Sequence, residues 1–77
     1  MSVKVLFFGV LGDRAGCTER IVHDVPDTDA LEVMVAEEIK GLEGYSYLIS
    51  VNRETICGNT LLKDGDEVAF LPPFAGG

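Results

Sequence analysis

A single α+β domain, one sheet with one helix packed on a face, is the fold that this 77-residue chain predicts. Three observations carry that expectation. Only one stretch, Leu31 to Ile39, repeats apolar residues at helical spacing. Short runs rich in strand formers stand on both sides of it, and turn residues separate those runs. With 47% apolar and 25% charged residues the chain reads as an ordinary folded domain. Its length allows one small core and no separate catalytic domain.

Val3 to Phe8 is the first predicted strand. Val3, Val5 and Phe7 fall on one face and Lys4, Leu6 and Phe8 on the other, so a strand apolar on nearly both faces belongs inside a sheet. Gly9 to Cys17 carries three glycines and reads as a loop with room for a brief helical turn, which Gly12 weakens. Glu19 to Val25 is a second strand, halted by Pro26; Ile21, His23 and Val25 share one face, Arg20, Val22 and Asp24 the other. The lone His23 has no second ligand or carboxylate pair and reads as an edge-strand histidine.

Asp27-Thr28-Asp29 supplies oxygens for a helix N-cap, with Glu32 favourable to the dipole of the first turn. Leu31, Met34, Val35 and Ile39 then form the core-facing stripe, and Gly41 is placed to end the helix. Leu42 to Tyr45 is a connection. Tyr47 to Val51, a turn at Asn52-Arg53, and Glu54 to Cys57 make a hairpin that Gly58-Asn59 breaks. Thr60 to Lys63 crosses back to the Asp64-Gly65 turn, and Val68 to Leu71 is the final strand. Two strands, a helix, two strands and a last strand is the plan of the β-grasp fold, with no internal repeat, linker or low-complexity segment.

A net charge of −7 argues against nucleic acid or an anionic membrane as partner and favours a basic protein surface. Cys17 and Cys57 are forty positions apart in no ligand pattern and read as reduced thiols, although Arg14 and Arg20 give Cys17 a faintly basic setting. No nucleotide-binding glycine motif or metal-spaced Cys/His cluster is present, and Asp64, Asp66 and Glu67 lack the spacing of a calcium loop. Neither a signal peptide nor a membrane-length apolar run is evident, so the chain is expected to be cytoplasmic.

Chemistry concentrates at the end of the sequence. Pro72-Pro73 stops the sheet and starts a stiff spacer, after which come Phe74, Ala75, Gly76 and Gly77. The six residues beyond Leu71 reach roughly 20 Å when extended. Two glycines carry no Cβ, so a terminal Gly77 carboxylate could enter a channel closed to other residues. That carboxylate is ionised at neutral pH and a poor electrophile, and needs activation, normally as an acyl adenylate.

The run Gly65 to Gly77, with Val5-Leu6-Phe7-Phe8, resembles the family of molybdopterin synthase small subunits (MoaD), ubiquitin-like sulfur carriers. Carriers of the thiamine pathway (ThiS) and of cysteine pathways also end in Gly-Gly but usually lack the Pro-Pro pair. Phe74 departs from the Val or Ile commoner at that place. The resemblance implies a ubiquitin-like β-grasp domain over residues 1–73, with the first and last strands as central, parallel neighbours in a mixed sheet, and a flexible tail over 74–77. It implies a chain that is not itself an enzyme and binds no cofactor or metal, ATP being used by its activating partner. Gly77, with Gly76 before it, would be adenylated by a ubiquitin-activating-type enzyme (MoeB-like) and converted to a thiocarboxylate by a sulfur donor protein. The tail would then deliver sulfur inside the large synthase subunit (MoaE-like). A carrier for another pathway and a ubiquitin-like modifier attached to lysines are the alternatives.

Aligning the first and last strands by their alternation puts Val3, Val5, Phe7, Val68 and Phe70 under the helix. Leu6, Phe8, Ala69 and Leu71 are left on the open face. Leading into Pro72, Pro73, Phe74 and Ala75, they are the expected partner-binding surface.

Overall fold

The computed structural model describes residues 1–73. Its elements are β1 (Ser2–Phe7), α1 (Val10–Ala15), β2 (Glu19–His23), α2 (Thr28–Glu38), a 3-10 turn (Leu42–Gly44), β3 (Leu48–Val51), β4 (Glu54–Thr55) and β5 (Glu67–Leu71). They form one five-stranded sheet in the order β2-β1-β5-β3-β4. β1 and β5 run parallel and the other pairs antiparallel, so the sheet is mixed. β1 and β5 take interior places, each with a strand on both sides.

The core lies between the sheet and α2. Val3, Val5 and Phe7 of β1 and Val68 and Phe70 of β5 are buried there, in register as Val5 with Val68 and Phe7 with Phe70. Leu31, Val35 and Ile39 descend from the helix, and Leu11, Val22, Val25, Leu42, Ile49 and Leu62 close the sides. Phe70 is the hub: its ring centroid lies 5.6 Å from Phe7 and 5.4 Å from Tyr47, within favourable aromatic range.

Four local expectations are corrected. Residues 9–17 are not mainly loop: Val10–Ala15 is helical, because Leu11 is buried against the core and Gly16 ends the turn at φ 75°, its N–H on Gly12 C=O. Gly12 makes this close packing feasible, since a Cβ there would stand 3.2 Å from the Phe7 carbonyl oxygen. β2 stops at His23, where Asp24 turns to φ 57° and donates to Met1 C=O at 3.0 Å. That break in alternation lets Val22 and Val25 both face the core while Ile21 is exposed.

Met34 lies outside the apolar stripe, 42% exposed, because the contact is the narrow line Leu31, Val35, Ile39. Gly41 does adopt φ 81°, but it starts the 3-10 turn; α2 itself ends at Glu38, capped by Ile39, whose backbone is extended and whose side chain is buried. The N-cap follows expectation, with Asp27 Oδ1 accepting from Ala30 N–H at 2.8 Å, a contact worth about 1 kcal/mol. His23 sits exposed on edge strand β2.

The loop entering β5 is tied by one buried carboxylate. Asp66, 6% exposed, accepts from the Asn52 side-chain amide at 3.0 Å and from Lys63 N–H at 2.8 Å. Asn52 Oδ1 in turn accepts from Glu67 N–H at 3.0 Å, joining the β3-β4 turn to the start of β5. The Asn52 amide first, then the Lys63 N–H, hold the Asp66 carboxyl below the usual carboxylate range, against the opposing effect of burial. A lowered folded pKa means stability that is fully present above the unfolded value of about 4 and is lost as pH falls through the folded value. Acidification below about pH 4 is therefore expected to lower the thermal midpoint more in the wild type than in Asp66→Asn, measured by circular dichroism. Parallel acid profiles would remove Asp66 from the account.

Candidate functional site

The open face of the sheet is organised by the registers of β1, β5 and β3. Leu6 pairs with Ala69 and Ala69 with Ser50, which gives one cross-sheet row; Ser50 pairs onward with Thr55. Leu71 pairs with Leu48 in the next row, and Phe8 continues β1 beside it, its N–H on Phe70 C=O at 3.1 Å. Leu6, Phe8, Ala69 and Leu71 accordingly line one open groove of about 440 Å³.

Exposure differs within that set. Phe8 is 45% exposed, Leu6 and Leu71 are half-buried, and Ala69 is buried because its short side chain forms the floor between larger neighbours. The structure adds residues that the strand alignment did not include. Leu48, 42% exposed, enlarges the apolar area next to Leu71, and Ser50, Arg53, Thr55 and Glu67 supply a polar margin. Glu67 follows from the alternation of β5 itself, whereas Leu48, Ser50 and Thr55 join the face only through the registers of β3 against β5 and of β4 against β3.

β5 leads from this face to Pro72 and Pro73, the last described residues. Gly9, at φ 60°, holds its backbone so close to Pro72 that a Cβ would lie 3.1 Å from the Pro72 ring. The exit of β5 is thus seated against the turn between β1 and α1. Phe74, Ala75, Gly76 and Gly77, named from the sequence as tail and reacting residues, lie outside the described residues.

Elsewhere the chemistry is structural. Arg20 donates to Cys17 Sγ at 3.4 Å and pairs with Glu38, whereas Arg14 stacks over the Tyr45 ring at 5.8 Å. Cys17 and Cys57 are free thiols. Tyr47 donates to Glu32 Oε2 at 2.7 Å; burial, then that bond, push its hydroxyl up to about 12, so it remains a donor at neutral pH. Among the described residues no group of three His, Cys, Asp or Glu side chains is placed to hold a metal, and no helix is long and apolar enough to cross a membrane.

An apolar face of this kind on a small domain is suited to docking a protein. Comparison with known proteins gives the family. The model of the ThiS family matches residues 5–77. The molybdopterin synthase sulfur carrier subunit of Escherichia coli K12 is 35% identical, over 97% of this chain and 99% of its own. A solved protein-protein complex of subunits 1 and 2 of molybdopterin-converting factor from Helicobacter pylori 26695 holds a chain 32% identical, at TM-score 0.75 with all of both chains covered. Small archaeal modifier protein 1 (SAMP1) from Methanosarcina acetivorans is 27% identical at TM-score 0.78, covering 99% of this chain and 96% of its own. The fold is that of the ubiquitin-like β-grasp proteins, and the chain belongs to the ThiS family.

Proposed function

We propose that this protein is the sulfur carrier subunit of a molybdopterin synthase. The observation that carries the reading is the 35% identity to the Escherichia coli sulfur carrier subunit along nearly the whole of both chains. In this reading a ubiquitin-activating-type enzyme attacks ATP with the Gly77 carboxylate, forming an acyl adenylate and releasing pyrophosphate. Sulfide released by a sulfur donor protein then attacks the acyl carbon, the C–O bond to AMP breaks, and Gly77 is left as a thiocarboxylate. The large synthase subunit receives the tail, and sulfur passes to a pterin precursor. The chain supplies the carboxylate that carries the sulfur and the docking face, and its partners supply the catalytic groups. It works in the cytoplasm, where Cys17 and Cys57 stay reduced.

The test is intact mass spectrometry of the purified chain after incubation with activating enzyme, ATP and a sulfur donor. One oxygen exchanged for sulfur at the C-terminus is the expected product; its absence with an enzyme competent on another carrier would sink the reading. The likeness to small archaeal modifier protein 1 favours one second reading, attachment of Gly77 to lysines of other proteins. Cell extracts then should hold a ladder of higher-mass conjugates bearing this chain, which a dedicated synthase subunit does not accumulate.

The open face is proposed to dock both the activating enzyme and the large subunit. Phe8 is the exposed aromatic of this groove, next to the end of β1 and the exit of β5. Phe8→Asp is expected to weaken both complexes by about 2 kcal/mol, roughly thirtyfold in Kd. Because Phe8 is outside the core, the thermal midpoint should barely move. Normal binding by titration calorimetry would show that the interface is elsewhere.

A further inference from the structure

The outer edge of β3 is only partly covered. Alternate residues of a strand address opposite neighbours. Asn52 N–H reaches Glu67 C=O on the β5 side at 2.7 Å, so Val51, Ile49 and Tyr47 turn their backbone groups the other way, toward β4. β4 spans two residues, and its ladder ends where Ile56 N–H meets Ile49 C=O at 2.9 Å. Beyond that bond the chain leaves the sheet for the N-terminus of α2, where Asn59 Oδ1 accepts from Asp29 N–H at 2.9 Å. Among the described residues, Ile49 N–H, Tyr47 N–H and Tyr47 C=O have no backbone partner.

A groove of about 330 Å³ fills the gap between this edge and the departing segment. Its charged lining residues are Asp29 and Glu32, with no lysine or arginine among the lining. Glu32 takes the Tyr47 hydroxyl on one oxygen, which leaves the other for a further donor.

We propose that this groove docks an extended segment of a partner protein that carries a lysine or arginine. The unpaired backbone groups call for a strand, since only an extended backbone offers donors and acceptors at matching intervals. Charge of one sign at the rim selects a cation on that strand, placed between Asp29 and Glu32. The docked segment extends the sheet beyond β3 on the stretch that β4 leaves free. This site is separate from the groove of Leu6 and Phe8, and it stands whether or not Gly77 carries sulfur.

The test uses the full chain with two short peptides, one alternating valine and lysine, the other valine and glutamate. With the lysine peptide, NMR amide signals of Tyr47, Ile49 and Asn59 are expected to shift, and hydrogen exchange at the Tyr47 and Ile49 amides to slow. The glutamate peptide should do neither. Asp29→Asn and Glu32→Gln keep the local shape and the acceptor for Tyr47, and each should weaken binding about threefold, the size of one exposed ion pair. Equal shifts with both peptides, or shifts confined to Leu6, Phe8 and Leu71, would overturn the proposal. Concentration-dependent shifts at Tyr47 and Ile49 without peptide would assign the edge to a second copy of the chain instead.

Discussion

Removal of Gly77 is expected to abolish thiocarboxylate formation while leaving the thermal midpoint of the domain unchanged. In the proposed reaction the terminal carboxylate is the attacking group on ATP, and truncation moves it back by one residue, roughly 3.5 Å. A displacement of even 1 Å can cost about a hundredfold in rate, so the shortened chain should give no product above background. Stability should not follow, because the described core runs from Val3 to Phe70 and ends before Pro72. Pyrophosphate release and intact mass read the first effect, and a thermal melt reads the second. A truncated chain that is still thiolated would remove Gly77 from the mechanism. A lowered melting point would show instead that the terminal residue supports the domain.

The parts of the fold that were legible in the sequence are those where one pattern decides. β1 alternates with apolar residues on nearly both faces, which calls for an interior position in the sheet; the central, parallel place of β5 beside it was implied by the family resemblance. His23 and the Asn52-Arg53 turn were equally plain, the latter confirmed by φ of 50° and 72° at the two residues. The misses have a common physical cause, in that tertiary contacts overrode local preference. A six-residue helix such as α1 does not form on propensity, and exists because Leu11 is buried and Gly12 lets it approach β1. Asp24 breaks the alternation of β2 by pairing with Met1, a partner far away in sequence. At the candidate site, Leu6, Phe8, Ala69 and Leu71 followed from alternation within two strands. Leu48 and Ser50 depended on how β3 is registered against β5, which no residue near them announces.

Phe70→Ala is expected to have the largest effect on stability of any single change in the sheet. Phe70 is fully buried on β5, which has strands on both sides, and it touches Phe7 and Tyr47 through its ring. Truncating a buried phenylalanine costs about 3–5 kcal/mol, the lost transfer energy plus the cavity left behind. A chain of 77 residues has a small core and little margin. Native domains of any size hold only about 5–15 kcal/mol in all, and small ones sit at the low end. From about 5 kcal/mol that leaves roughly 0–2 kcal/mol, so up to about half of the molecules should be unfolded at 25 °C, seen as loss of native amide signal and a lowered urea midpoint. Leu48→Ala is the control, since Leu48 lies on the neighbouring strand but is 42% exposed; its cost should stay within about 0.5 kcal/mol. If both variants lose stability equally, the open face is as much core as the helix side, and the assignment of faces fails. If Phe70→Ala folds with a native urea midpoint, the aromatic hub is not what holds β5 in place. The expected contrast instead ties the two faces together: Phe70 fixes β5 from the helix side, and β5 thereby presents Leu71 and Pro72 on the other.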